Sequence, residues 1–176
     1  AEYPLGVLLG AMRPIVARRL LKDLTALGVD KISIVGADFS EPSYLESNLW
    51  KKGEYQRSLE EGAEQGGTTI LPRVQLFSSL TDFLQDFPKR QIQLVLDPEA
   101  NTTLLKVYSV LQPLSLSPSV WIGIGPERGW SKAELSMFED AGFLACRMGR
   151  RVLRTEAAAL IATGIIVAQW DTEQVY

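Results

Sequence analysis

The sequence predicts an α/β fold, a parallel sheet with helices on both faces. Short apolar runs alternate along the chain with segments of helical spacing. Those runs are continuous rather than alternating, which suits strands buried on both sides.

The elements follow in order. Leu5–Leu9 is a buried strand. Pro14 opens a helix in which Ile15, Val16, Leu20, Leu21, Leu24 and Leu27 recur at helical spacing, and Gly28 ends it. Lys31–Val35 is the second strand. A polar, weakly periodic helix runs from Asn48 to Gln65 and stops at Gly66-Gly67. Thr69–Leu76 is a short strand interrupted by Pro72, which marks an edge. Ser79–Phe87 is a short helix. Ile92–Leu96 is a buried strand followed at once by Asp97-Pro98-Glu99-Ala100. Thr102–Leu116 begins as a helix and continues as a loop with Pro and Ser. Val120–Ile124 is a strand. Ser131 and Glu134 form a capping box and start a helix that ends near Gly142. Phe143–Met148 is a strand, and Glu156–Trp170 is the last helix.

Composition bounds the chemistry. A chain of 176 residues, 46% hydrophobic and 22% charged, suits one globular domain. No apolar run reaches bilayer-spanning length, so no membrane is expected; Ile161–Val167 is too short. The chain starts almost inside a strand, Tyr3–Gly10, which suggests a fragment lacking an upstream domain. No secretory leader is visible. There is no histidine, which removes Ser-His-Asp and Cys-His catalysis, His-ligated metals and His bases. With one cysteine, Cys146, neither an intramolecular disulfide nor a multi-Cys zinc site can form, and no metal is expected. Cys146 lies in an apolar run and reads as core. One buried thiol suits a reducing compartment, hence a cytoplasmic location, or an organelle stroma or matrix in a eukaryote.

Net charge is −3, yet local basic patches suffice for nucleic-acid contact. Arg13, Arg18, Arg19 and Lys22 form one such patch in the first helical region. Arg147, Arg150, Arg151 and Arg154 form the other. Each patch is either a solvated face or a phosphate-recognising surface.

Ligands of open α/β sheets bind outside the carboxyl ends of strands. Three strand ends here carry unusual residues: Asp97-Pro98-Glu99-Ala100, Gly125-Pro126-Glu127-Arg128-Gly129-Trp130, and Gly149-Arg150-Arg151-Val152-Leu153-Arg154-Thr155-Glu156. Glycine permits close backbone approach, and helix starts present unpaired N–H groups. Each loop taken singly is also an ordinary strand-to-helix turn. The dinucleotide glycine signature and the Walker phosphate loop are both missing.

Ile122-Gly123-Ile124-Gly125-Pro126-Glu127-Arg128-Gly129-Trp130-Ser131 resembles the IGPEGG motif of SPOUT-class RNA methyltransferases. Met148-Gly149-Arg150-Arg151-Val152-Leu153-Arg154-Thr155-Glu156-Ala157-Ala158 resembles their LG-x-R-[IV]-LR-x-E-T-A motif. The chain is most similar to the RsmE family, which methylates uridine N3 in small-subunit ribosomal RNA. Leu94-Val95-Leu96-Asp97-Pro98-Glu99-Ala100, Glu61-Gly62-Ala63-Glu64-Gln65 and Leu27-Gly28-Val29 match that family in place and order. Four departures stand out. Arg128 replaces a glycine, Ala157 stands where the family has Thr, Ala26 replaces a Glu, and Gly66-Gly67-Thr68 replaces a polar residue, Gly and Arg.

The resemblance implies a SPOUT catalytic domain over residues 1–176, with a C-terminal trefoil knot and without the family's N-terminal RNA-binding β-barrel. It implies a homodimer acting on ribosomal RNA. The implied cofactor is S-adenosyl-L-methionine, lined by Leu96, Asp97, Pro98, Ile124, Gly125, Glu127, Gly129, Met148, Gly149, Val152, Leu153 and Arg154. Uridine N3 must lose a proton to react. Arg154 would stabilise the anionic base, and Glu127 or Glu156 would accept the proton; each glutamate also has a structural reading. Arg150 and Arg151 would contact RNA phosphates. Apolar residues of the last helix (Ile161, Ile165, Val167, Trp170) would serve either the dimer interface or the core. The alternative function is a SPOUT-like protein that binds cofactor or RNA with lost or altered activity.

Overall fold

The continuous apolar runs form six parallel strands in the order β3-β2-β1-β5-β4-β6. The structure is a computed structural model that describes residues 3–85, 87, 92–111 and 119–173. Strand β1 (Tyr3–Gly10) lies between β2 (Val29–Val35) and β5 (Val120–Ile124), with Leu9 opposite both Ile34 and Ile124. Beyond β5 come β4 (Ile92–Leu96) and then β6 (Leu144–Cys146); beyond β2 comes β3 (Arg73–Phe77). β4 and β5 are buried throughout, whereas the edge strands β3 and β6 are mostly exposed. All-parallel pairing with covered faces matches the predicted class.

Successive side chains alternate between two cores, as a pleated strand requires. Leu5, Val7, Leu9, Leu94 and Ile122 face one core, covered by α1 (Pro14–Ala26), α5 (Leu104–Leu111) and α7 (Thr155–Glu173). Leu8, Val95 and Trp121 face the other, covered by α4 (Leu80–Gln85) and α6 (Lys132–Asp140). This second core is aromatic: Trp121 packs on Phe83 and Phe87, and Phe138 sits edge-on to Trp130 and Phe143. Gly6 makes room for the Trp121 ring, since a Cβ there would lie 2.3 Å from it. α3 (Tyr55–Gly66) packs outside α1, where Gly62 fits against the Lys22 carbonyl.

Several expected boundaries are corrected. The helix expected over Asn48–Gln65 is two: α2 (Asn48–Lys51) and α3, separated at Gly53, whose φ of 69° ends the first turn. Buried Leu49 and Trp50 anchor α2 to the core in place of helix continuity. A 3₁₀ turn at Pro42–Tyr44 was not expected. β2 starts at Val29, directly after Gly28, and β3 starts only after Pro72. β6 is shorter than Phe143–Met148. The Phe143 N–H is taken by the Phe138 carbonyl at 2.8 Å, closing α6 with Gly142 at φ 91°. After Cys146 the chain leaves the sheet, and Arg147 bridges to Thr103 instead. Helix α7 runs from Thr155 to Glu173, beyond the expected Trp170. The helix expected over Ser79–Phe87 is shorter, α4 at Leu80–Gln85, and Phe87 is not helical. The loop expected over 112–116 lies outside the described residues. Among the described residues no helix is long and apolar enough to cross a membrane.

Candidate functional site

The loops after β4, β5 and β6 meet at the carboxyl end of the sheet and wall a cavity of about 550 Å³. The β5 loop is the most constrained. The Gly129 N–H bonds the Pro126 carbonyl at 2.8 Å, and Gly129 takes φ 74°. A Cβ on Gly125 would fall 2.8 Å from the Gly129 backbone, so the loop closes on itself only because Gly125 has none. Gly10 does the same for β1, where a Cβ would lie 2.4 Å from Pro126.

Ser131 then caps α6 as predicted. Its Oγ accepts from the Glu134 N–H at 3.1 Å, and Glu134 Oε2 accepts from the Ser131 N–H at 2.8 Å. The second oxygen of the buried Glu134 accepts the Asp38 N–H at 3.0 Å, which ties the loop after β2 to the start of α6. The β4 loop is a tight turn in which Asp97 accepts the Glu99 N–H at 2.9 Å. It is pinned to the β6 loop twice: the Asp97 N–H bonds the Cys146 carbonyl at 2.9 Å, and Arg147 Nη1 bonds the Ala100 carbonyl at 3.1 Å.

Of the expected lining, Leu96, Asp97, Pro98, Ile124, Gly125, Glu127, Gly129, Val152 and Leu153 border the cavity. Met148 and Gly149, with Arg147 and Arg151, border a smaller adjoining cavity of about 50 Å³. Arg154, Arg150 and Glu156 border neither. Arg150, Arg151 and Arg154 are exposed, because residues 150–154 run outside the sheet before α7 begins. Glu127 is exposed at the rim, facing the Arg13 N–H at 3.5 Å. Arg13 is held charged more firmly than usual, first by a hydrogen bond with Tyr44 and then by the Glu127 carboxylate. The first basic patch is largely neutralised, since Arg18 pairs with Glu54 and Lys22 with Glu61. Cys146 is buried, and burial pushes its thiol up to about 12. On α7, Val167 and Trp170 are core, while Ile161 is 47% exposed.

Trp130, Thr155 and Ala158, in the quoted motifs but outside the expected lining, also border the cavity, as do Phe39, Lys132 and Leu135, which the sequence did not single out as site residues. Phe39 lies far from the motifs in sequence and arrives by way of the Asp38–Glu134 bond. The Arg128 guanidinium sits 4.8 Å over its ring. That contact gives the departure at Arg128 a place outside the turn, because the left-handed residue of the loop is Gly129.

The cavity suits a ligand of nucleoside size. Its volume is in the range of small-molecule sites. The first turns of α6 and α7 both border it; α6 is already capped by Ser131 and Glu134, so the positive dipole end on offer is that of α7. The Trp130 indole N–H is buried and, among the described residues, has no partner.

A family model described as the RNA methyltransferase domain matches residues 1–167. The chain belongs to that family. It is 35% identical over 172 residues to the ribosomal RNA small subunit methyltransferase E of Treponema pallidum, covering 96% of this chain and 63% of that protein. To the corresponding protein 1 of Borreliella burgdorferi it is 31% identical over 166 residues, covering 93% of this chain and 66% of the relative. The chain thus spans just under two thirds of these curated relatives. The fold matches a solved methyltransferase E of Neisseria gonorrhoeae bound to S-adenosyl methionine, with TM-score 0.80 and 22% identity over 96% of this chain and 67% of the other. A Legionella pneumophila protein in complex with bound cofactor SAM matches with TM-score 0.78 and 26% identity, covering 94% of this chain and 67% of that one. The resemblance drawn from the two glycine-bearing motifs is borne out at the level of the RNA methyltransferase family.

Proposed function

We propose that this chain is the catalytic domain of an S-adenosylmethionine-dependent methyltransferase acting on uridine N3 of small-subunit ribosomal RNA. The observation that carries this is the cavity formed by the loops after β4, β5 and β6, with two helix starts at its wall. A relative of the same fold holds that cofactor, and the curated relatives are named as ribosomal RNA small subunit methyltransferases.

Bound in the cavity, S-adenosylmethionine supplies an activated methyl carbon for in-line displacement. Leu96, Ile124, Val152 and Leu153 would hold its apolar parts, and the backbone around Gly125 and Gly129 would bind its polar groups. Deprotonation of the acceptor falls to the chain. Arg154 stabilises negative charge on the base. Glu127 or Glu156 takes the N3 proton, directly or through water. Glu127 accepts the Arg13 N–H, whereas among the described residues nothing competes for the Glu156 carboxylate. Arg154 and Glu156 border neither of the two cavities described above, so they meet the acceptor once RNA or a second subunit completes the site.

Arg150 and Arg151, exposed and without ion pairs among the described residues, contact RNA phosphates. A second copy of the chain packs against α7 through the exposed Ile161 and half-buried Ile165. Passage of the chain from the Thr103–Arg147 bridge back to α7, against β1 and β5, supports a knotted C-terminus. The enzyme works in the cytoplasm, or in the equivalent compartment of an organelle.

The second reading, a cofactor or RNA binder without this activity, draws on Arg128 and Ala157. Incubation with unmodified small-subunit rRNA and methyl-labelled cofactor separates the two. Label at a uridine N3 is expected; RNA binding with no label at any uridine N3 favours the second reading.

A further inference from the structure

We propose that Phe39 and Arg128 form a stacking shelf that receives the acceptor nucleobase of the RNA at the cavity mouth. The inference rests on the methyltransferase reading above and deepens it on the acceptor side.

Three features point to the shelf. First, two aromatic rings line the cavity among the described residues: Trp130 is 8% exposed and Phe39 40%. The buried Trp130 faces a ligand seated in the depth. The exposed Phe39 ring offers a face to a base that arrives from solvent.

Second, the ring is rigidly presented. Its neighbour Asp38 is bonded through its N–H to Glu134 and through its carboxylate to the Ser131 hydroxyl. On the other side, the Ser40 N–H reaches the Ala37 carbonyl at 2.9 Å, and the Ser40 hydroxyl bonds the Ala11 carbonyl. Holding an exposed aromatic this firmly lowers the entropy cost of stacking on it.

Third, the cation over the ring is not neutralised by a carboxylate. The Arg128 guanidinium lies 4.8 Å from the Phe39 centroid, and among the described residues it makes no ion pair. An unpaired base stacks on aromatic rings and on guanidinium planes alike, and the adjoining phosphate gains the charge. Phe39 approaches from outside the three cavity loops, while Arg128 reaches it from the β5 loop. Phe39 follows β2, which lies across β1 from β5, whereas those loops follow β4, β5 and β6.

The test compares wild type with Phe39→Ala, Phe39→Trp and Arg128→Gly, all at exposed positions. Cofactor Kd is measured by calorimetry, and kcat and KM for rRNA are measured by label transfer. Loss of one base stack predicts a rise in rRNA KM of about tenfold for Phe39→Ala. Cofactor Kd should stay within about twofold, and Phe39→Trp should restore KM. Arg128→Gly should raise KM by a smaller factor and flatten its dependence on salt. A Phe39→Ala variant with unchanged KM overturns the shelf, as does one that loses cofactor affinity at unchanged KM. In both cases wild-type transfer still stands. A wild-type chain that binds cofactor but labels no uridine overturns the underlying reading and the shelf with it.

Discussion

Asp38 and Glu134 are 96 residues apart in sequence, yet the Asp38 N–H donates to Glu134 Oε1 at 3.0 Å. The same carboxylate closes the capping box of α6 through its other oxygen. One buried side chain therefore sets both the first turn behind the β5 loop and the loop that carries Phe39. Removing it leaves two backbone donors without partners. Glu134→Ala should destabilise the fold by about 2–3 kcal/mol. Glu134→Gln keeps one acceptor oxygen and should cost about half as much. Urea unfolding measures both, and equal loss in the two variants would contradict the shared role.

The two glycines of the β5 loop should fail for different reasons. At Gly125 a Cβ collides with the Gly129 and Trp130 backbone. Gly125→Ala should therefore deform the cavity and weaken S-adenosylmethionine binding at least tenfold, since backbone atoms cannot step aside. At Gly129 nothing lies within 4 Å of a Cβ, and only the left-handed φ resists. Gly129→Ala should cost about 1–2 kcal/mol of stability with a milder effect on cofactor affinity. Calorimetry and urea unfolding of the pair distinguish crowding from conformation.

Cys146 should be silent to thiol reagents in the native protein at pH 8 and should react once the chain is unfolded in guanidinium. Burial raises its pKa to about 12, against 9.0 for an ordinary thiol. The unfolded state therefore releases this proton first as pH rises. The cysteine contribution to stability holds below pH 9 and is lost between about pH 9 and 12. Rapid labelling of the native protein would show that the thiol is reachable.

Arg154 supplies the mechanistic prediction. Its side chain is exposed and its backbone carbonyl accepts the Ala158 N–H at 2.9 Å, a bond that substitution leaves in place. Arg154→Ala should reduce methyl transfer at least a hundredfold, the scale for loss of one charge-stabilising group. The melting temperature should hardly change. A fully active variant would remove Arg154 from the mechanism.

Much of this was legible because it is local. Continuous apolar runs gave β1, β4 and β5, and Ser131 with Glu134 gave the capped start of α6. Strand order was not, because pairing β1 with β5 depends on contacts more than 100 residues apart in sequence. The break at Gly53 was hidden inside a polar stretch, since a single glycine does not reveal its φ until Leu49 and Trp50 are seen anchored in the core. Phe39 was invisible as a site residue because nothing near it in sequence carries a motif. It reaches the cavity only through the long-range bond to Glu134. The cavity walls were read from the strand ends, but the placement of Arg154 and Glu156 outside them was not.

The central claim is that the loops after β4, β5 and β6 hold the methyl donor. Titration of the chain with S-adenosylmethionine in a calorimeter tests it most directly. Saturable binding to the cavity is predicted, strongly weakened in Gly125→Ala. No heat of binding at millimolar cofactor, with the protein folded, would contradict it.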